Sequence, residues 1–416
     1  MRSRGLAACI ALGSLAFATV RADTTIATIR VDGLLDSPYE VPVDVSLDGI
    51  TALPPERLAL FRIDGGHAEA VPMQVSGSPR RMTWLAGPGD GGPAPVHYEL
   101  RETAGGHSFE ALNRNRADGL LTIAFASQPL LGYQYGFMPA PPGVDPAFGR
   151  SGFIHPLYSP RGRVLTRIQP PDHFHHYGIW DPWTHLEYDG AEYDLWNLGD
   201  KKGTVRFERF VSETSGPVYG EFTAEQQHVA NTADGPTVIM DERQTIRVYR
   251  PEGDYYLFDM SIDLGAATDK PVTLLEYRYG GFGWRATAAW DKDNSEVLTS
   301  EGRDRRDADN TTGRWFYVQG AVDDGYAGAV VMSHPDNFNH PEPMRIWPIP
   351  DEGRGDVFAS FSPTRDTDWR IEPGQRYVRV YRFLVYDGHM TAPGAESAWQ
   401  NFAHKPGVTI EAPREE

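Results

Sequence analysis

The sequence predicts an all-β protein: a large antiparallel β-sandwich preceded by a small β-sandwich-like N-terminal domain. Three observations carry this expectation. Short runs rich in β-branched and aromatic residues recur along the chain, among them "TIATIRV", "RLALFRI", "LLTIAFAS", "GTVRFERFV", "RQTIRVYR", "YYLFDMSIDL" and "YVRVYRFLVYD". The 43 glycines and 33 prolines punctuate these runs at short intervals, as turns between strands require. Long amphipathic helical patterns are missing, and only residues 394–404 read as a short helix.

Taken in order, residues 1–22 have the pattern of a cleaved signal peptide. Arg2 and Arg4 precede the apolar run "LAACIALGSLAFATV", and Val20-Arg21-Ala22 fits the small-residue rule before a cleavage site. The protein is therefore expected to be exported, to the periplasm or beyond. Residues 23–100 form the small β domain, and the polar residues 101–118 read as a linker. Residues 119–410 form the large domain, followed by a tail at 411–416. In the segment "QTIRVYR", Thr245, Arg247 and Tyr249 share one face of a strand, and Ile246 and Val248 share the other. Such alternation predicts antiparallel sheets with one covered face.

Composition narrows the function classes. The chain carries 39 Lys and Arg against 57 Asp and Glu, a net charge of −18, and has no basic block. Such a surface repels phosphate backbones, so no nucleic-acid partner is expected. After the first 22 residues no run of 18 apolar residues occurs, so no integral membrane segment is expected in the mature chain. Cys9 is the only cysteine and lies in the predicted signal peptide. That leaves no disulfide, thiolate ligand or cysteine nucleophile in the mature chain. Aromatics make up 12% of the residues, with ten Trp, a composition that suits sugar binding beside core packing.

Four clusters could carry chemistry. The first is Asp172-His173-Phe174-His175-His176, preceded by Pro170-Pro171 and followed by Trp180 and Trp183. In an extended segment His173 and His175 share a face about 7 Å apart and His176 points the other way. The pair could ligate a divalent metal such as zinc, with His155 or His340 as a third ligand. It could equally work as acid and base near neutral pH, or simply bond loop carbonyls. The second is "SHPDNFNHPEP", which places His334, Asp336, Asn337 and His340 on a proline-stiffened loop after the strand "AGAVVM". An Asx-rich turn explains it as readily. The third is "EYRYGGFGWRA", in which Glu276 and Arg278 alternate with Tyr277 and Tyr279 and Arg285 follows. A carboxylate beside a guanidinium is most often an ion pair. The fourth, "SEGRDRRDADNTTGRWFYVQG", reads as a solvated loop around Arg303, Arg305 and Arg306, with Arg314 opening a strand. The nucleophile elbow GxSxG, the zinc motif HExxH, the P-loop and the EF-hand are all missing from the sequence.

The segments "IHPLYSPRG", "PPDHFHHYGIW", "LWNLGD", "GGFGWR", "SEG", "GRWFYVQG" and "HPDN..HPEP" occur in this order. Together they resemble a bacterial family of β-proteins labelled PmoA-like, otherwise a domain of unknown function, over about residues 119–410. The resemblance implies an architecture similar to the galactose-mutarotase-like supersandwich, in which a sugar lies on a concave sheet and His with Glu or Asp moves protons. The positions it implies are His155, Asp172, His173, His175, His176, Trp180, Arg285, Arg314, His334, Asn337 and His340.

The leading expectation is a carbohydrate-active enzyme of hydrolase, lyase or epimerase type, with a small-molecule or oligosaccharide substrate and no cofactor. His173 or His175, with Glu276 and His334, would be the catalytic groups. The ligand would be held by His155, His176, Trp180, Trp183, Arg285, Arg314, Asn337 and His340, with the histidine loop and the His334 loop closing over one end of a sheet. Two alternatives stand beside it. One is a metalloenzyme with a divalent ion on His155, His173 and His175, and the other is a non-catalytic glycan-binding protein.

Overall fold

A computed structural model of the chain describes residues 23–35, 37–87, 94–105, 107–349 and 355–411. The predicted signal peptide with Cys9, and all of the tail beyond Glu411, lie outside the described residues. The protein is all-β. Two large antiparallel sheets face each other, of eight and nine strands. The eight-stranded sheet runs in spatial order through strands Gly203–Thr214, Tyr219–Thr232, Gly235–Tyr249, Tyr255–Ala266, Tyr377–Asp387, Gly325–Ser333, Trp315–Val322 and Ser295–Thr299. Its long central strands pair in continuous register, for example Ile246 with Met260 and Phe258 with Phe383. The nine-stranded sheet is built from shorter pieces, including Leu120–Phe125, Gln128–Gln134, Phe153–Leu157, Ile179–Trp180, Gly283–Arg285, Glu342–Ile346 and Phe358–Phe361.

The main core lies between these sheets. Leu121, Ile123, Leu131, Ile154, Ile179 and Trp284 from one sheet meet Phe222, Ile246, Val248, Phe258, Val331 and Phe383 from the other. Burying apolar surface of this extent is what holds a chain that has no disulfide among its described residues. The expected alternation is present, since Ile246 and Val248 are fully buried. The expectation of a single covered face does not hold throughout. Tyr249 on the opposite face is also buried, because Tyr219, Tyr249, Leu257, Tyr317 and Leu384 pack under the helix Ala392–Ala403 through Trp399 and Phe402. That helix matches the short one read from the sequence. Thr391 caps it by accepting from the Gly394 amide.

Residues 24–102 supply most of a five-stranded and a three-stranded sheet packed on each other through Ile29, Val43, Leu60, Trp84 and Leu100. The last strand, Gly407–Glu411, pairs with Thr24–Asp32 in the five-stranded sheet. The chain therefore returns to its first strand rather than ending in the large unit. A four-stranded sheet of short strands, including Leu186–Tyr188 and Val272–Leu274, packs with Val205, Ile239 and Leu264 of the eight-stranded sheet.

Candidate functional site

The histidine cluster sits on a loop that leaves and re-enters the nine-stranded sheet. Its ends are tied by a bridge between Ile168 and Tyr177 and by the Gln169 amide donating to the His176 carbonyl at 2.8 Å. Inside this frame the chain makes two successive tight turns. The His173 amide donates to the Pro170 carbonyl at 2.9 Å, and the His176 amide donates to the His173 carbonyl at 3.0 Å. Pro170 and Pro171 disfavour a continuing strand here, because proline fixes φ and removes a donor. The extended geometry expected for this segment is thus replaced by turns, and His176 does not point away from its neighbours. Gly178 then turns the chain back toward the sheet. It has φ +58°, and a Cβ on it would lie 2.2 Å from the Ile154 carbonyl oxygen, so only glycine fits.

The turns bring His173, His175 and His176 together. One ligand nitrogen from each lies within 4.8 Å of the others. The His173 and His176 rings stack at 4.7 Å, and His175 stands edge-on to His176 at 4.8 Å. His173 Nδ1 is hydrogen-bonded to Asp172 Oδ2 at 2.9 Å, which leaves its Nε2 as the free nitrogen. His176 is 3% exposed, and its Nδ1 is buried with no hydrogen-bond partner. Burial, then the nearby His173, holds His175 down at about 4, and burial lowers His176 far below the ordinary imidazole range. Both rings are neutral at physiological pH, the state that binds metal.

Asp172 is anchored from below. Its Oδ2 also accepts from Arg285 Nη2 at 2.6 Å, and the same Arg285 nitrogen donates to Asp356 Oδ2 at 2.9 Å. Burial acts to raise the Asp172 carboxyl, but the His173 hydrogen bond and the Arg285 charge outweigh it and hold it below its usual range. Asp356 also takes Arg167 at 2.8 Å. Arg305, expected in a solvated loop, is 3% exposed. It donates to the carbonyls of Trp347, Gly355 and Asp356 at 3.2, 2.7 and 2.9 Å, which fixes the segments carrying Trp347 and Asp356.

The histidines open into a pocket of about 320 Å³, lined also by Trp196, Asn197, Arg278, Tyr279, Arg345, Trp347 and Phe358. This lies at the small end of the range for small-molecule sites, roughly 300–1,000 Å³. Asp194 shapes one wall. It accepts from the backbone amides of Trp196 and Asn197, both at 2.8 Å, and from the Asn197 side chain at 2.7 Å. The Asn197 amide reaches the Tyr279 hydroxyl at 3.2 Å, and Arg345 is held by Asp309 at 2.7 Å.

Several expected site residues lie elsewhere. Trp180 is 1% exposed and forms the floor, 5.1 Å beneath the His176 ring, so no ligand can stack on it. Trp183 is fully buried in another cluster, against Trp369 and the Arg379 guanidinium. Arg285 has no exposed surface, and its task is to hold Asp172, with its guanidinium 4.6 Å from the Trp347 ring. Glu276 is exposed outside the pocket, where its amide donates to Asp368. His155 is on the strand Phe153–Leu157, hydrogen-bonded to Thr166 Oγ1 at 2.9 Å, and does not join the three histidines.

The His334 loop does not close over the histidine loop. His334 and Asn337 line a separate groove of about 680 Å³, which shares no residue with the histidine pocket. Asn337 is locked by Ser333, Glu342 and the Val380 carbonyl, a structural role. His340 is bonded to Ser333 Oγ at 3.2 Å, and Arg314 to Glu396 at 3.2 Å, both under the C-terminal helix. Long-range packing separates these groups, and no local spacing shows it. Of the residues that do line the pocket, Trp196 and Asn197 stand in the "LWNLGD" segment and Arg278 in the "EYRYGGFGWRA" segment. Trp347 and Phe358 carried no signal beyond being aromatic.

No curated protein matches the chain. Among solved structures it is similar to a heparan sulfate lyase, the HepC mutant from Pedobacter heparinus, with 11% identity and a TM-score of 0.30. That similarity covers 70% of this chain and 38% of the lyase, so the chain spans well under half of that structure's length. Over residues 121–400, more than half of its length, the chain matches the model of a family of unknown function, DUF6807, and it belongs to that family.

Proposed function

We propose that the protein is a metal-dependent enzyme acting on a sugar or a similar oxygen-rich small molecule, with His173, His175 and His176 holding a divalent transition metal such as zinc. The observation that carries this is the convergence of three imidazole nitrogens within 4.8 Å of one another. A tetrahedral site with metal–nitrogen bonds of about 2.05 Å needs them roughly 3.4 Å apart, so the rings would draw closer around a bound ion. The donor set fits. All three ligands are imidazoles, which suit zinc, copper, iron and nickel. Asp172 bonded to His173 Nδ1 is the outer-shell carboxylate that orients a metal-binding histidine. Three protein ligands facing a pocket leave a position open, as catalytic sites do.

A bound metal would activate water or polarise a substrate oxygen. The surrounding residues bind and orient. Asn197, Tyr279, Arg278 and Arg345 present donors to hydroxyl or carboxylate oxygens, while Trp347, Trp196 and Phe358 form a largely buried aromatic lining around them. A sugar also agrees with what the resemblance to PmoA-like proteins implies, an architecture similar to the galactose-mutarotase-like supersandwich. A second reading rests on the Asp172–His173 pair alone. A carboxylate that orients an imidazole also makes a general base without a metal.

Elemental analysis of the purified chain separates the two. The metal reading expects close to one equivalent of a transition metal per chain, and less than about a tenth in His175→Ala, with the fold retained. A wild-type chain that stays below about a tenth of an equivalent after incubation with zinc, manganese, iron, nickel and copper salts overturns it. A glycan screen with and without chelator then assigns the substrate. Chelator-insensitive turnover that is lost in His173→Ala supports the acid–base reading.

A further inference from the structure

Behind the tryptophan floor of the histidine pocket, the core between the two large sheets turns polar. Strand register sets Gln226 opposite Glu242, with His228 and Gln244 on the same inward faces. Tyr133, Arg150, Asp181 and Arg379 join them, and each of these eight residues is at most 3% exposed. Most are paired. Asp181 takes both terminal nitrogens of Arg379, at 3.0 and 2.5 Å, and His228 Nε2 meets Glu242 Oε2 at 2.9 Å.

Arg150 is different. Its Nε, Nη1 and Nη2 are all buried with no hydrogen-bond partner. The Tyr133 hydroxyl and the Gln226 side chain lie near each other and make no close hydrogen bond to any other group. Gly152 allows Gln226 to come this close. It has φ +75°, and a Cβ there would lie 2.4 Å from Gln226 Oε1. The Arg150 guanidinium lies 5.7 Å from the Tyr177 ring, a contact that satisfies none of its N–H groups. Burial lowers the Arg150 pKa to about 10, so it stays charged at neutral pH. A buried charge with unsatisfied donors is too costly to persist without a partner.

We infer that Arg150, Tyr133 and Gln226 form an internal site for one small monovalent anion of the halide class. The charge balance agrees. Burial pushes Glu242 up to about 7 and His228 down to about 3, so their pair is largely uncharged below neutral pH. Arg150 and Arg379 then face at most the single charge of Asp181, whose carboxyl burial pushes up to about 6, so at least one positive charge is in excess. The groups around Glu242 are His228 and Gln226 on the neighbouring strand, Gln244 on its own strand, and Asp181, Arg379, Arg150 and Tyr133 around it. As pH rises through about 7, Glu242 ionises, supplies the missing negative charge and competes with the anion.

The test compares melting temperatures in sodium chloride and in sodium gluconate, an anion too large for an internal site, at equal ionic strength. At pH 6 the wild-type chain is expected to melt about 3 °C higher in chloride, and at pH 8 by less than half of that. Arg150→Met, or Tyr133→Phe if the first variant does not fold, is expected to reduce the chloride response. In crystals soaked in bromide, an anomalous peak is expected within hydrogen-bond distance of Arg150. Equal melting in both salts at pH 6, or no bromide peak beside Arg150, overturns the inference.

Discussion

Replacing Asp172 with asparagine tests the metal reading at its most informative point, because it alters no ligand. Asp172 Oδ2 accepts from His173 Nδ1 at 2.9 Å and from Arg285 Nη2 at 2.6 Å. An asparagine keeps the shape, and its carbonyl oxygen can still accept from both donors as Oδ2 does, but it carries no charge, so both hydrogen bonds weaken. His173 then loses the charged partner that fixes its ring and raises the basicity of Nε2. A hydrogen bond to a charged group contributes about 1.5–3 kcal/mol. That matches the 10- to 100-fold loss of metal affinity typical when an outer-shell partner is removed, about 1.4–2.7 kcal/mol. The expected result is therefore a metal Kd weaker by a factor of about 10–100. Competition against a chromophoric chelator at fixed pH measures it, with circular dichroism checking the fold. His175→Ala, which removes a ligand, should lose more. An Asp172→Asn chain that binds metal within twofold of wild type would refute the argument that Asp172 orients a ligand.

Four further outcomes are expected. Glu276→Ala and His334→Ala should leave metal content unchanged, because both residues lie outside the histidine pocket; a loss of metal in either would contradict its geometry. Asp181→Asn should destabilise the fold by about 3–5 kcal/mol in chemical denaturation, since it leaves Arg379 buried without its partner. The double change Asp181→Leu with Arg379→Met should cost much less, and equal losses would show that packing, not charge, is at stake. Glu242 sets a pH dependence: its folded pKa of about 7 lies above the unfolded value, so the folded chain binds the extra proton. Its stabilising effect is complete below about pH 4.5 and is lost as pH rises to about 7, by about 3 kcal/mol. Glu242→Gln should therefore gain stability relative to wild type between pH 5 and pH 8, and parallel pH–stability curves would exclude Glu242 as the cause.

The structure separates two polar regions that share the Trp180 neighbourhood. The histidine pocket opens outward, with His173, His175 and His176 among its lining residues. The Arg150 region is enclosed between sheets, where low dielectric makes every unpaired charge expensive. Trp180 stands between them, with His176 on one side and Asp181 next in the chain. A substitution at Trp180 should therefore disturb packing on both sides rather than remove a ligand contact.

What the sequence determined by itself was local. Period-two alternation, β-branched runs and frequent turn residues require antiparallel sheets, because each strand must bury one row of side chains every second residue. The crowding of histidines beside Asp172 and a proline pair was legible for the same reason: it is a short-range feature, and the three rings meet on that loop. Only the tertiary structure decided how that loop turns. The bridge between Ile168 and Tyr177 closes it, so His176 joins His173 and His175 instead of facing away. Burial was likewise a long-range matter. Trp180 and Trp183 stand beside the histidines in sequence but are consumed by the core, while Trp347 and Phe358 arrive from distant strands to line the pocket. Arg285 looked like a ligand clamp and became a buried support, because Asp356 and Trp347 enclose it from another part of the chain. Spacing along a strand records which face a residue takes; which neighbours meet that face depends on how the sheets stack.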